Sequence, residues 1–410
     1  MNVDLGERRK KIVIIGQFIE ENVTGSNSRF AYLAELFSVE YDTHLLTSSF
    51  YHSGKRQKEE SPSTGSYHLG YIYEPGYRKN VSLRRLYSHK VFGKSLRKKL
   101  KELGNIDLIY CAIPSIDAAW ESLKYAKDNS VPFVLDVQDL WPEAFQMVIP
   151  NEKLSGMLFS FMRSKVNYIY EMADYVVAVS ETYINRANSC RESDEGTVVY
   201  LGTDKTTFDV LLKENQPFKT AGEFWVTYVG TLGHSYDIQV IIDAMGLLKE
   251  RNYNNIAFHI IGDGPLKERF MNYATSKNVN VIFHGRLSYP KAVGYLGVSD
   301  VAVNPIVPKS PASIINKHGD YAMAGLPVVS TQTSTEYTDL LATYKAGINC
   351  DGRNPKSIAD AIEGYYTNKE LLGEHRKNSR HMGEELFDRS KTYYEIVRKI
   401  ENVLRDSPEF

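Results

Sequence analysis

The sequence predicts two parallel α/β domains in tandem, and three observations predict them. Short β-branched runs ending in glycine recur along the chain, at Lys11–Gly16, Trp225–Gly230, Ala257–Gly262 and Asn280–Gly285. Strands buried on both faces read this way. Segments with apolar residues at helical spacing separate the runs, and strand–helix alternation is the sign of an open parallel sheet. The pattern then restarts near Trp225, so the 410 residues divide in two. The expected bounds are 1–205, 206–385 and a last helix, 386–410, packing back on the first domain.

Composition narrows the class. A hydrophobic share of 42% with 24% charged residues is that of a globular protein. The net charge of −1 provides no global field for nucleic acid or membrane, so any such attraction must be local. Cys111, Cys190 and Cys350 are far apart and odd in number. They form neither a disulfide framework nor a zinc pattern, and they fit a reducing compartment. The polar start, Met1 to Lys11, does not read as a signal peptide. No run reaches the ~18 apolar residues of a spanning helix. The expectation is a cytoplasmic protein that does not bind nucleic acid.

In the first half, Lys11–Gly16 is a buried strand. The turn Gly25-Ser26 follows, then Phe30, Leu33, Ala34 and Phe37 at helical spacing. A bare backbone at Gly25 and Ser26 could approach a phosphate, though such turns are often only structural. Tyr41 to Ser48 reads as a strand, and His52 to Gly65 as a polar loop. From Arg78 to Leu103, Arg84, Arg85, Lys94, Arg97 and Lys98 lie among ten cations set against one acid, Glu102, interleaved with Leu83, Leu86, Tyr87 and Phe92. A basic amphipathic helix suits an anionic membrane surface. It equally suits a core-packed helix with a basic outer face. Strands follow at Ile106–Ala112, Pro132–Gln138, Ala173–Ser180 and Val198–Gly202, with a helix at Ser155–Met172. Just past the second of these strands stand Asp139, Trp141 and Glu143. Sites in parallel sheets are built at that edge. Asp139 could also be a plain helix cap or turn residue.

In the second half, further strands are read at Asp300–Asn304 and Pro327–Ser330. Between them Pro311 and Ser313 suit a helix start and Gly325 its end. Lys317 and Asp320 then share one helix face. A cation near a phosphate and a carboxylate near a ribose diol would make a nucleotide site at a helix N-terminus. Lys and Asp on a helix are also commonly solvated. After about Ser357 the chain reads as helical, ending in the stripe Tyr393, Ile396, Val397, Ile400, Val403 and Leu404.

Several of these runs, taken together, resemble a known family. They are Val226–Gly233, His259–Pro265, Val281–Gly285 and Lys317–Val329, with Asp139-Leu140-Trp141-Pro142-Glu143 in the first half. In order and spacing the chain resembles retaining GT-B glycosyltransferases of family 4, in the branch that builds bacterial surface polysaccharides. The resemblance implies a GT-B fold, two Rossmann-like α/β domains facing across a cleft. It implies a nucleotide-sugar donor, UDP-linked by expectation, and a glycan or lipid-linked acceptor. No cofactor and no metal are expected, and the sequence has no Asp-x-Asp pair. Peripheral attachment at the inner face of the plasma membrane is expected through Arg84, Arg85, Lys94, Arg97 and Lys98.

By position, the resemblance places Gly16, Gly25, Ser26, Gly230, Thr231, Gly233, Gly262, Asp263, Gly264, Arg286, Asn316, Lys317 and Asp320 around the donor. Asp139, Trp141 and Glu143 fall on the acceptor side. Asp139 and Lys317 are the expected catalytic side chains, with Lys317 and helix N–H groups stabilising the leaving diphosphate. The chain departs from the family at several points. Ala312 stands where a glutamate is usual, and Asp320 where the second glutamate is usual. Thr231 and Tyr236 replace a usual arginine and lysine, and Ala112 lies near the place of a usual histidine. These departures keep two alternatives open: a non-catalytic partner subunit of the same fold, and a nucleotide-sugar epimerase.

Overall fold

A computed structural model describes residues 8–19, 28–59, 65–80, 82–144, 152–194, 196–308 and 313–406. The chain divides into two compact units, one comprising Met1–Val199 with Tyr393–Phe410, the other Tyr200–Thr392. The first crossing falls between Val199 and Tyr200, close to the expected break after residue 205.

The first unit contains β1 (Lys11–Ile15), α1 (Arg29–Ser38), β2 (Asp42–Ser48), the hairpin strands β3 (Phe50–Tyr51) and β4 (Arg56–Gln57), β5 (His68–Ile72) and α2 (Leu83–Leu103). It continues with β6 (Leu108–Ile113), α3 (Ile116–Asp128), β7 (Phe133–Val137), α4 (Glu152–Glu171), β8 (Tyr175–Ala178), α5 (Glu181–Asn188) and β9 (Gly196–Val198). Seven strands form one parallel sheet in the order β5-β2-β1-β6-β7-β8-β9. Ser28 caps α1 by accepting from the Ala31 amide at 3.4 Å, which frees Phe30, Leu33 and Phe37 to pack on Ile12, Ile14 and Tyr110 of the sheet.

The second unit contains α6 (Lys205–Glu214), β10 (Phe224–Val229), α7 (Ile238–Glu250), β11 (Ile256–Ile261), α8 (Lys267–Lys277), β12 (Val281–Gly285), α9 (Tyr289–Val298) and β13 (Val301–Asn304). Next come α10 (Asn316–Met323), β14 (Val328–Ser330), α11 (Thr335–Tyr344), β15 (Gly347–Asn349), α12 (Pro355–Thr367) and α13 (Lys369–Leu386). Six strands form a parallel sheet in the order β12-β11-β10-β13-β14-β15. On one face Val226, Phe258 and Ile260 pack with Ile238, Ile241 and Met245. On the other Ala302 and Val328 pack with Tyr321, Met323, Met382 and Phe387. The last helix, α14 (Arg389–Asp406), carries the chain back to the first unit. There Tyr393, Ile396, Ile400 and Leu404 enter the core, each buried side chain stabilising by ~1.5–3 kcal/mol.

Several elements differ from the sequence reading. The loop read at His52–Gly65 holds β4, which pairs with β3 in a hairpin, and β3, β5 and β15 were not foreseen. All are short, β4 is polar and exposed, and β5 has a single buried residue, Ile72. The strand expected at Val198–Gly202 lies at Gly196–Val198. The helix expected to start at Pro311 or Ser313 starts at Asn316, after Ile315. Ser313 is buried with its hydroxyl on Glu336 at 2.5 Å, so it serves α11 rather than α10. The other end agrees with the sequence. At Gly325, φ is +64°, and the Gly325 and Leu326 amides donate to the Ala322 and Tyr321 carbonyls at 2.9 Å, closing the helix.

Candidate functional site

In each sheet the strand order reverses beside the first strand: β2 and β6 flank β1, and β11 and β13 flank β10. Crevices form at the carboxyl ends of strands at such reversals, and ligands bind there. In the second unit that place is bounded by the loop after β10 and by α10, which follows β13.

Two glycine loops shape it. The Leu232 amide donates to the Asp263 carbonyl at 3.0 Å, and the Gly230 amide to the Ile261 carbonyl at 3.0 Å. A Cβ on Gly262, at φ +152°, would stand 1.8 Å from the Gly230 carbonyl oxygen, so no side chain fits. A Cβ on Gly264 would stand 2.4 Å from the Leu232 carbonyl oxygen, so it is excluded there too. Thr231 and Asp263 point to solvent, and Gly233 is partly exposed. Asp263 accepts from the Gly264 amide at 2.8 Å.

Lys317 is the centre of this region. Its side chain is buried, and its Nζ has no hydrogen-bond partner among the described residues. The ammonium lies 4.1 Å from the Tyr228 ring centre and 3.8 Å from that of Tyr236. A Cβ on Gly230 would stand 2.8 Å from the same Nζ. Tyr321, one turn later, holds the helix in place by accepting the Val229 amide at 2.9 Å. Burial holds the Lys317 pKa well below its ordinary value. Two ring faces offset part of the desolvation of a cation, but not the whole of it. An anion at this point would supply the rest. Asn316 is exposed at the start of α10. The hydrocarbon side chain of Ile315 caps none of the first-turn N–H groups. A cation at a helix start is an arrangement that suits an anion.

Asp320 does not pair with Lys317. It accepts from the Tyr289 hydroxyl at 2.8 Å, and that hydroxyl meets Thr203 at 3.1 Å. Burial pushes its carboxyl up to about 6, against the pull of Tyr289 and Arg389. Arg286 is exposed after β12. A cavity of about 460 Å³ opens at the ends of β13, β14 and β15, lined by Pro308, Thr331, Gln332, Asn349, Asp351 and Arg353. Lys317 is not among its lining residues.

In the first unit, Gly16 is buried against Phe30 at the end of β1. Gly25, Ser26 and Ala312 lie outside the described residues. Asp139 accepts from the Leu140 amide at 2.9 Å and from the Trp141 indole at 3.1 Å, and burial raises its pKa. Glu143 is an ion-pair partner, at 2.9 Å from Arg186.

Around Trp141 the structure assembles a cluster that the sequence did not reveal. His89 stacks on it at 6.0 Å, and Phe18 lies 6.4 Å away. Phe18 also meets His52 at 5.3 Å, and Tyr77 meets His89 at 5.8 Å. The Arg85 guanidinium sits 4.6 Å from the Trp141 ring and 5.4 Å from Tyr77, with Lys55 over the same tyrosine at 4.8 Å. Burial lowers His52 to about 4 and His89 to about 3, with the Lys55 and Arg85 charges adding to it at His52 and Arg85 at His89. Both rings are therefore neutral near pH 7. Beneath, buried Glu74 accepts from Gln17, Ser48 and Ser88 at 2.5–3.0 Å.

The basic helix is only partly outward. Arg85 turns into this cluster, among three aromatic rings, and Arg97 is drawn to Glu121 and Asp128 of α3 at 3.2 and 2.6 Å. Arg84 and Lys94 are exposed. Lys98 is exposed as well, 3.8 Å from Glu102. So are Leu83, Leu86 and Tyr87, at 84%, 45% and 62%.

Solved structures share this architecture along nearly the whole chain. A sucrose-phosphate synthase from Thermosynechococcus elongatus is 16% identical, with a TM-score of 0.74 over 97% of this chain and 100% of its own. Anabaena HepE in complex with UDP and glucose is 15% identical, with a TM-score of 0.69 over 96% of this chain and 100% of its own. WaaG, a glycosyltransferase involved in lipopolysaccharide biosynthesis, is 14% identical, with a TM-score of 0.64 over 94% of this chain and 99% of its own. The fold is GT-B. Residues 223–368, most of the second unit, match the family described as "Glycosyl transferases group 1". No curated protein matches the chain in sequence.

The Lys317 region thus lies within the matched segment of a GT-B chain. No described helix is long and apolar enough to cross a membrane.

Proposed function

We propose that this protein is a retaining, metal-independent glycosyltransferase. It takes a sugar from a UDP-linked donor and passes it to a glycan or lipid-linked acceptor in bacterial surface polysaccharide assembly. One observation carries the reading: Lys317 is a buried cation with two tyrosine faces and, among the described residues, no hydrogen-bond partner, in the first turn of a helix whose N-cap residue, Ile315, offers no side-chain acceptor. A diphosphate would fill that need. As the bond to the sugar breaks, negative charge grows on the leaving diphosphate, and Lys317 with the first N–H groups of α10 stabilises it. These groups can supply the charge a metal ion would otherwise bring. The match over residues 223–368 and the UDP-bound HepE neighbour support a UDP donor. Asp320 is the ribose-diol acceptor, which requires it to share or release Tyr289. On the first unit, the Trp141 cluster is the acceptor platform, and Asp139 the candidate catalytic carboxylate.

The deciding experiment is a thermal-shift screen with UDP, GDP, ADP and their sugars. UDP alone should stabilise the protein. A shift with GDP or ADP only would replace the base, and no shift with any would remove the donor assignment. Turnover with the matched donor should persist in EDTA, and the product should keep the donor's anomeric configuration.

A non-catalytic partner subunit is favoured by one feature. Tyr236 covers the Lys317 ammonium at 3.8 Å, where the resembled family usually carries a cation. UDP binding without transfer or donor hydrolysis, with activity appearing on adding a second subunit, would select that reading.

The exposed Leu83, Leu86 and Tyr87, flanked by Arg84 and Lys94, are the proposed contact with an anionic membrane at its cytoplasmic face. Salt-sensitive flotation with anionic vesicles tests it, and equal binding to neutral vesicles would refute it.

A further inference from the structure

The amino-terminal edge of the first sheet carries a second cluster, at the opposite ends of the strands from Gly16 and Asp139. Asp42 opens β2, and His44, two residues on, lies on the same face of that strand. His68 opens β5 and is the register partner of His44. The two imidazoles stack with centres 4.6 Å apart and planes at 26°. Their Nε2 atoms converge on one oxygen, Asp42 Oδ1, at 3.1 Å from His44 and 3.6 Å from His68. All three ligand atoms lie within 4.8 Å of one another. Donors held at about 2.0–2.2 Å from one tetrahedral ion stand roughly 3.4 Å apart. Small side-chain rotations would reach that geometry with no change of backbone. The remaining cation nearby, Lys11, lies 4.0 Å from the other carboxylate oxygen, Oδ2, and is also held by the Leu103 and Gly104 carbonyls at 3.2 and 3.3 Å. Asp42 and His68 are 33% and 67% exposed, which leaves water access to a further coordination position.

We propose that Asp42, His44 and His68 form a binding site for a divalent transition metal ion, zinc foremost, through one carboxylate oxygen and two imidazole nitrogens. Two nitrogen donors select against magnesium and calcium, which take oxygen. The role is structural. Among the described residues β5 is an edge strand paired only with β2, and an ion joining His68 to Asp42 and His44 would pin its register. It would also close the connection between the two strands, which carries His52 and Lys55 of the Trp141 cluster. The site is separate from sugar transfer, so it does not bear on whether that reaction needs a metal.

The test uses the full chain without a polyhistidine tag. Titration with zinc chloride in a calorimeter should show one equivalent bound at micromolar or lower concentration, with a rise in Tm and with slowed amide exchange in β5. Cobalt(II) should give visible absorption bands of low coordination number. His44→Ala and His68→Ala should each weaken binding by more than ~100-fold, beyond the usual cost of losing an outer-sphere partner. His381→Ala, at an exposed histidine on α13, should leave it unchanged. His68 is exposed, so its variant tests the site without disturbing the core, and circular dichroism confirms the fold. Absence of zinc binding by the wild type, or binding that survives the His44→Ala/His68→Ala double change, overturns the proposal.

Discussion

Arg29 in the first unit and Lys317 in the second are both buried cations beside tyrosine, and they differ in what faces them. Arg29, at the start of α1, is 4% exposed. Its Nε donates to Asp136 at 2.8 Å and its Nη1 to the Val199 carbonyl at 2.9 Å, with the Tyr393 ring 4.8 Å away. Tyr110 donates to the same carboxylate at 2.6 Å. Burial pulls the Arg29 pKa down, but Asp136, Tyr393 and Tyr110 outweigh it and the net shift is upward. Lys317, 8% exposed, has its ring faces but neither a carboxylate nor a carbonyl among the described residues, and its pKa falls. A paired buried cation ties α1, β7 and the Val199 backbone to one another. The other, at a helix start, has no hydrogen-bond partner among the described residues.

The largest expected effect lies on the paired side. Asp136→Ala strands a buried guanidinium and should destabilise the fold by ~3–5 kcal/mol in urea unfolding. A loss under about 1 kcal/mol would mean that the pair is not what orders α1. Lys317→Met should do the reverse. Removing an uncompensated buried cation should leave Tm unchanged or raise it, while UDP affinity falls by ~1.5–3 kcal/mol and uridine affinity changes little. Destabilisation comparable to Asp136→Ala would make Lys317 a structural residue and erase the contrast.

Titration sharpens the comparison further. Because the folded Lys317 pKa is depressed, the unfolded chain binds more protons at pH values between that depressed value and the ordinary one near 10.5. The Lys317 penalty is therefore present at low pH and lost as pH rises through that window. The stability gap between Lys317→Met and the wild type should close with rising pH, and UDP should remove the slope. Asp320 has the opposite sign of shift. Its folded pKa is raised from 3.8 to about 6, so the stability it contributes is full below 3.8 and is lost as pH rises through about 6. Asp320→Asn should flatten that fall. It should also abolish any gain in uridine affinity that the wild type shows over the same range. A gain that persists in the variant would move the ribose contact elsewhere. The smallest effect is at the surface, where Arg84→Gln with Lys94→Gln should weaken anionic vesicle binding by ~1 kcal/mol per charge. An unchanged partition would return α2 to a merely basic outer face.

Local signals in the sequence account for the turns of the second unit. Gly230, Gly262 and Gly264 are legible because close backbone approach excludes side chains, and Gly325 because the helix must end there. Lys317 stands out as a cation after a strand–loop–helix turn. Its surroundings do not: Tyr228 is 89 positions earlier and reads as an ordinary strand residue. The helix start was misplaced because Pro311 and Ser313 carry the local signature, while the tertiary bond from Ser313 to Glu336 takes the hydroxyl elsewhere. The Trp141 cluster was missed for the same reason on a larger scale. Phe18, His52, Tyr77, Arg85 and His89 come from separate connections and one helix, and no spacing links them. Arg85 in particular carries the signature of a solvated or lipid-facing charge, and the rings around it together with the Asn80 carbonyl turn it inward.

The sequence by itself determined the alternation of strands and helices, the restart near Trp225 and the glycines at strand ends. Those follow from periodicity and from steric limits that act over a few residues. Tertiary structure decided which charges are paired and which histidines stack. It also decided that Asp320 meets Tyr289 rather than Lys317, that Arg85 leaves the basic face, and that His44 lies opposite His68. Electrostatic character depends on burial and on partners brought together by sheet order, and that order is a property of the whole fold.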